Sequence, residues 1–413
     1  MENLAALEDL RKVAPAWPAG ERDTVVGVQA RYVVSPASTD DVAEVLRVAG
    51  QHGLTVVARG AGTTLSWGAA PTSADVLLDT TGLCGVVEHV AGDMVVVVRA
   101  GTPVTELQAA VGAAGQRLAL DVPYAGATVG GTLATSTSGP LRLLYGTARD
   151  LLIGITFVRA DGVVAHSGGK VVKNVAGYDL GKLLTGSFGT LGVITEAVFR
   201  LHALLADRRV VQLSCPDGET AARAARVVLG SQVVASAVEL SLDPDGTATV
   251  TVLVEGAATG VAARIATTRA LLGPEATERA DLPADFTSLP FTAGGTALKV
   301  TSSITGVATV LAAVHDLAVD HGVTAAARGS AAGVLHVGLA SGSGVTAVAA
   351  FVAGLRAAAA SVEGSSTVLD APPDVRAIVD LWGPVPGLDL MRRLKNQFDP
   401  DHRLSPGRFV GGI

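Results

Sequence analysis

The residues that stand out here for chemistry offer backbone rather than side chain. Three loops are crowded with glycine: "RGAGTTLSWG" at 59–68, "PYAGATVGGTLATSTSG" at 123–139 and "GSFGTLG" at 186–192. Glycine reaches positive φ and lets backbone approach a neighbour closely, at an entropic cost. In the last loop Gly186, Gly189 and Gly192 recur at every third position. They follow the helically spaced Leu180, Leu183 and Leu184 and precede a β-branched run. Consecutive N–H groups beside the hydroxyls of Thr63, Thr64 and Ser66 can ring an anion. One such loop taken alone reads as an ordinary turn. Three together supply enough donor-rich backbone for an extended diphosphate, which points to a dinucleotide such as FAD.

Other chemistries are excluded. There is no GxxxxGK[ST], and in "GAGTTLSWG" the third glycine comes too late for a Rossmann fingerprint. Cys84 and Cys215 stand far apart and outside any CxxC pattern. They cannot hold an iron–sulfur cluster or a structural zinc, and such sparse cysteine fits a reducing compartment. His315 and His321 are six apart, which on a helix puts the imidazoles on different faces, so no metal is expected. A net charge of -7 without a basic cluster argues against nucleic acid. The acidic start "MENLAALEDLRK" is unlike a signal peptide. The uncharged stretch 122–141 is rich in Gly, Thr and Ser and reads as loops, not as a membrane span. The expected location is cytoplasmic, or at a membrane through partner subunits.

The elements around these loops can be read in turn. A chain of 413 residues suggests two or three domains, and 49% hydrophobic against 17% charged residues describes a well-buried globular protein. "SPASTDDVAEVLRVAGQHG" predicts a helix with Ser38 and Asp41 as a capping box and Gly53 at its stop. "TVVARGAGTT" reads as a buried strand entering a glycine loop. "TPVTELQAAVGAAG" predicts a helix with Pro103 near its first turn. In "DLLIGITFVRADGVVAH" the pair Asp161-Gly162 suits a type I′ hairpin turn. After about Leu204 a β-α-β-β-α order appears twice, suggesting two ferredoxin-like halves in one antiparallel sheet with helices on one face. The expected domains are 1–204, 205–385 and a returning tail 386–413.

The sequence resembles the vanillyl-alcohol-oxidase (PCMH-type) FAD-binding family, and within it the FAD-binding subunits of bacterial glycolate oxidases. The matching residues are "RGAGTT", Pro123 with "ATVGG" at 127–131, "YGTARD" at 145–150 and "KNVAGYDLGKLLTGSFGTLGVITE". The tail "MRRLKNQFDPDHRLSPGRF" also matches, with Ser405 where the family has Asn. The resemblance implies an α+β protein: a two-subdomain PCMH-type FAD-binding domain plus a ferredoxin-like antiparallel α+β cap. It implies that Gly60, Ala61, Gly62, Thr63 and Thr64 cradle the diphosphate and that Thr128, Gly130 and Gly131 lie by the flavin or its ribityl chain, with Arg59 and Pro123 also binding the cofactor. Gly189 and Gly192 would keep side chains clear of FAD, with Val193 and Ile194 toward the adenine-ribose end. Tyr178 joins this set, with packing at the domain seam as its other reading. No His occurs in the first loop or near 134–138, so FAD is expected to be noncovalent.

For catalysis His336, in "GVLHVGL", is the candidate base, with a hydrogen-bonded sheet histidine as the alternative. Lys173 offers a positive charge near flavin or substrate carboxylate, or a solvent lysine at a helix start. Arg328 offers a carboxylate clamp, or a surface arginine. No "HxGDGNxH"-like metal pattern occurs, which favours a role within a complex. The implied function is the FAD-binding subunit of a glycolate-oxidase-like 2-hydroxy-acid dehydrogenase, with a second flavoprotein subunit and an iron–sulfur subunit as partners. The alternatives are a stand-alone FAD-dependent alcohol or sugar oxidase, and a non-catalytic flavin-holding subunit.

Overall fold

The helix Thr39–Gln51 starts as its sequence requires. The Ser38 Oγ accepts from the Asp41 amide and the Asp41 carboxylate accepts from the Ser38 amide, each at 3.0 Å. Its stripe Val42, Val45, Leu46 and Ala49 is buried in a core with Val34, Val56, Val76 and Leu78. Those strand residues belong to a four-stranded sheet ordered Ala16–Pro18, Tyr32–Val34, Val76–Asp79, Val56–Arg59. Its last three strands run parallel, so their apolar runs are nearly continuous rather than alternating. A second, five-stranded antiparallel sheet is ordered Val164–Gly168, Leu152–Val158, Val193–Arg200, Val95–Arg99, Val86–Val90. Val96, Val98, Phe157 and Phe199 from it share a core with Leu107 and Leu133.

The computed structural model describes residues 2–170 and 177–413. The chain splits into two compact units. The first comprises Met1–Ser138, Gly146–Leu204 and Val385–Ile413, and the second Gly139–Tyr145 and Leu205–Pro384. The short segment Gly139–Tyr145 groups with the second unit, a detachment that nothing in its sequence announces.

The Asp161-Gly162 turn differs from the two-residue type I′ form. Its strands end at Val158 and resume at Val164, and the Gly162 amide donates to the Arg159 carbonyl at 2.9 Å. Gly162 has φ +77° while Asp161 is not left-handed, whereas type I′ needs positive φ at both positions. The longer loop arises because Arg159 and Val163 also pair, leaving a glycine-bulged turn at the tip.

In the second unit each half runs β-α-β-β-α-β. The first half is Asp207–Cys215, Gly218–Leu229, Ala237–Leu242, Ala248–Gly256, Ala258–Leu272 and Thr277–Arg279. The second is Thr296–Thr301, Val307–His321, Ala325–Ser330, Val334–Leu339, Val345–Ala360 and Ser365–Asp370. All eight strands form one antiparallel sheet in which Ala237–Leu242 and Ala325–Ser330 join the halves. One parity of residues, including Val238, Leu240, Leu242, Val250, Leu298 and Val337, is buried apolar. It faces the helices, since Leu242 meets the start of Gly218–Leu229. The opposite parity is polar across the sheet: Thr249, Ser241, Arg328, His336, Lys299 and Thr367 lie in one transverse register row. At one end of that face Val210, Ala237 and Leu253 are covered by Leu141, Leu282 and Phe286.

The tail helix Leu388–Phe398 is anchored by a charge. Lys395 and Asp399 are both 0% exposed. The Lys395 Nζ donates to Asp399 Oδ2 at 2.7 Å, the Thr190 carbonyl at 2.8 Å and the Leu404 carbonyl at 2.9 Å. Asp399 in turn accepts from the amides of Arg403 and Leu404. Burial pushes the Lys395 ammonium pKa down, and Asp399 acts against that shift. Lys395→Met leaves the Asp399 carboxylate buried without its cation, a loss of about 3–5 kcal/mol. A thermal melt should show a melting temperature lower by several degrees, and the double variant with Asp399→Leu should regain part of it. Equal melting temperatures for wild type and Lys395→Met would contradict this.

Candidate functional site

The three glycine loops converge within the first unit on one cleft, with about 760 Å³ of empty space counting the part open to solvent. Ligand clefts typically hold roughly 300–1,000 Å³. Arg59, Gly60, Ala61, Gly62, Thr63, Thr64, Thr128, Gly130, Gly131, Gly189, Gly192, Val193 and Ile194 all line it. Pro123 does not. Neither does Tyr178, whose side chain is 92% exposed. The Tyr178 carbonyl accepts from Ser167 Oγ and from the Leu180 amide, which holds the backbone and leaves the ring in solvent. Lys173 lies outside the described residues. Phe188, Arg408, Thr80 and Thr135 also line the cleft, and the sequence reading did not select them.

The glycines serve separate needs. A Cβ on Gly60 would sit 2.2 Å from Thr128 Oγ1, so this glycine lets the first loop touch the second. A Cβ on Gly130 would meet the Ala100 methyl at 2.9 Å, where the Gly130 amide donates to the Ala100 carbonyl at 2.7 Å. Gly186 and Gly189 turn with positive φ. Gly192 instead makes room for the Phe157 ring, 2.9 Å from its absent Cβ. The threefold spacing thus combines two turns with one packing contact. Ser136, Phe188 and Ser405 are left-handed without being glycine. Such strain collects where function demands a particular backbone path.

The charges at the cleft are already committed. Burial disfavours a charged Arg59, but its hydrogen bonds to Asp79 at 2.9 Å and Asp23 at 3.0 Å raise its pKa overall. Arg408, 3% exposed, donates to the carbonyls of Leu65 at 3.0 Å and Trp67 at 2.7 Å, fastening the first loop to the tail. Among the described residues the amides of 60–64 make no hydrogen bond within the protein. A recessed row of unused donors fits a diphosphate, so these residues suit the dinucleotide that the spacing suggested.

Residues 30–168 match the family model described as an FAD binding domain. Over this stretch the chain is similar to PCMH-type FAD-binding proteins. It is 37% identical over 189 residues to D-lactate dehydrogenase of Archaeoglobus fulgidus, covering 46% of this chain and 42% of that one. Over 135 residues it is 39% identical to glycolate oxidase subunit GlcE of Escherichia coli, covering 31% of this chain and 39% of that one. With GlcD of Bacillus subtilis it shares 29% over 213 residues, 51% and 45% of the two chains. The chain thus spans less than half the length of these curated relatives. Among solved structures, 4-ethylphenol oxidase from Gulosibacter chungangensis aligns over 98% of this chain and 97% of its own, with TM-score 0.76 at 15% identity. An alkyldihydroxyacetonephosphate synthase aligns over 93% and 78%, with TM-score 0.71 at 18% identity. At these identities the structural matches establish the fold. The α+β class and FAD as the family's cofactor stand on these findings.

The remaining candidates lie in the second unit. Register sets His336 directly between Arg328 and Lys299. Arg328 is engaged by Asp285, with a 2.6 Å ion pair and a 2.7 Å bond to its carbonyl. The Phe291 and His336 rings meet in a T-shaped arrangement with centroids 5.9 Å apart. Burial, then the charges of Lys299 and Arg142, pushes the His336 pKa down to about 3. Burial, then Arg142, pushes Lys299 down to about 8. Neither Lys299 nor Arg142 was a candidate from the sequence. Among the described residues no group of three His, Cys, Asp or Glu side chains could hold a metal ion.

Two outcomes follow. Gly60→Ala forces Thr128 aside, yet Thr128 is 3% exposed and caps the Gly131 amide. FAD affinity measured by flavin fluorescence should fall roughly tenfold or more, about 1.4 kcal/mol per decade, and unchanged affinity would refute the close approach. In ¹⁵N-histidine-labelled protein, the His336 ring should stay neutral from about pH 8 down to about pH 5. A titration within that window would contradict the burial described.

Proposed function

We propose that the chain is an FAD-dependent oxidoreductase acting on the hydroxyl carbon of a small 2-hydroxy acid, as the FAD-binding subunit of a glycolate-oxidase-like complex. The observation that carries this reading is the cleft, where unused amides of 60–64 meet the glycine backbone of the other two loops. The relatives, a D-lactate dehydrogenase and glycolate oxidase subunits, supply the substrate class. Bound there, FAD would supply a two-electron acceptor for hydride leaving the hydroxyl carbon. The first loop would hold the diphosphate through backbone N–H groups, while Thr128 and the second loop orient the rest of the cofactor. Among the described residues no His, Cys or Tyr lines the cleft, which supports noncovalent attachment.

We assign the hydroxyl proton to His336. Its low intrinsic basicity is a poor match for a base at neutral pH, and a carboxylate bound beside it would raise that basicity. Lys173 and Arg328 stay as proposed aids to charge placement, Arg328 only on release from Asp285. With Cys84 and Cys215 as its whole cysteine complement, this chain would depend on partners for any cysteine-bound cluster. A second flavoprotein subunit and an iron–sulfur subunit are the partners proposed. No described helix is long and apolar enough to cross a membrane.

An anaerobic visible spectrum of the purified chain tests this directly. Acid should release FAD into the supernatant. Added glycolate or D-lactate should leave the flavin oxidised in the isolated chain and bleach it once the partner subunits are present. Absence of flavin from folded protein would sink the reading. Bleaching of the isolated chain would replace the subunit role with a stand-alone enzyme.

A further inference from the structure

The second unit holds a recess of its own on the polar face of its sheet. It has about 570 Å³ of empty space counting the part open to solvent, within the roughly 300–1,000 Å³ usual for ligand clefts. Its floor is a block of paired strand residues, with Ser241 beside Thr249 and Glu239 beside Thr251. Direct partners on one sheet face hold their Cβ atoms about 5 Å apart, so these groups form a compact polar grid. One wall is the apolar pair Pro283 and Phe286. That wall is held in place, because Arg328 grips Asp285 between them through an ion pair and a bond to its carbonyl.

The lining selects by charge. Among the described lining residues, the carboxylates of Glu239, Asp243 and Asp285 stand against the single guanidinium of Arg328. An incoming carboxylate or phosphate would meet this acidic excess, and like charges set side by side are costly. An incoming ammonium would share the recess with Arg328 and, accepting no hydrogen bond, would leave the hydroxyl donors unserved. Those donors are available. Among the described residues the Ser241 and Thr249 hydroxyls have no hydrogen-bond partner. The Thr251 Oγ1 accepts from the Gln212 side-chain amide at 3.1 Å, which leaves its own proton to donate.

We propose that this recess holds a neutral, hydroxyl-rich small molecule, a polyol or a sugar. Ligand hydroxyls both donate and accept, so they answer the Ser and Thr hydroxyls and the carboxylates together. Glu239, 7% exposed, would accept a charge-assisted bond from one of them. The C–H face of the ligand would lie against Pro283 and Phe286. Water satisfies the polar floor but gains nothing from the apolar wall beside it. The site does not depend on the 2-hydroxy-acid reading above.

The probes are two neutral compounds, D-glucose and open-chain sorbitol, and two charged relatives of glucose, glucuronate and glucosamine. Each would be titrated by ligand-observed NMR against the full chain at about pH 6, where a primary amine is protonated. Wild type should bind glucose or sorbitol, and the two charged sugars should bind at least about threefold more weakly than the better neutral one. Thr249→Val keeps the side-chain shape and removes the hydroxyl, and should weaken the neutral ligand about three- to tenfold, as for loss of one hydrogen bond. Thr249→Ser keeps a hydroxyl and should retain most of the affinity, which separates a lost contact from a lost fold. Absence of binding by both neutral compounds would leave a water-filled groove and overturn the proposal. Unchanged affinity in Thr249→Val, or loss in Thr249→Ser as large as in Thr249→Val, would overturn it too. Tighter binding of glucuronate or glucosamine than of either neutral compound would overturn the ligand class.

Discussion

The buried Lys395–Asp399 pair is the constraint on which the cofactor cleft depends. A lone ammonium in the interior would be prohibitive, so every Lys395 proton has to find an acceptor. The three it finds lie on separate stretches of chain: Asp399 at the helix end, Leu404 in the tail, and Thr190 inside the glycine loop that lines the cleft. The same tail then runs beside Val56, with the Val56 amide donating to the Arg403 carbonyl and the Ser405 amide to the Val56 carbonyl. Arg408 closes the chain of contacts by holding the Leu65 and Trp67 carbonyls near the end of the first loop. Two loops distant in sequence are thereby fastened to one closing segment.

That arrangement explains how backbone donors can be left unused in the first loop. The amides of 60–64 do not collapse onto one another because the ends of the loop are held from outside. Arg59 is clamped between Asp23 and Asp79 on the entering side, and Leu65 and Trp67 by Arg408 on the leaving side. Strained left-handed residues at Ser136, Phe188 and Ser405 belong to the same economy. They persist where surrounding bonds over-determine the backbone.

Much of this was legible because it depends on local rules. The glycine spacing marked the loops that form the cleft, and the capping box at Ser38 and the doubled ferredoxin-like order follow from nearby residues. What escaped reading depends on distant partners. Lys395 has the look of a solvent lysine on an amphipathic helix, and only the i, i+4 spacing to Asp399 hints otherwise. Lys299 sits in "ALKVTSS", where strand alternation sends it to the polar parity and thus, by expectation, to water. The edge strand Thr277–Arg279 is three exposed polar residues long, too short to show alternation. Gly192 was read as clearing space for a ligand, whereas its missing Cβ faces Phe157. Sequence spacing identifies a glycine but not which neighbour requires it.

The two units also differ in how they treat charge. Around the cleft Arg59 and Arg408 are engaged by carboxylates or carbonyls, so an anion entering it would meet oriented peptide dipoles rather than a free cation. Such a cradle binds through geometry, because dipoles that are already held pay no reorganisation when the anion arrives. In the second unit a cation is not so committed: burial, and after it the charge of Arg142, lowers the Lys299 pKa to about 8.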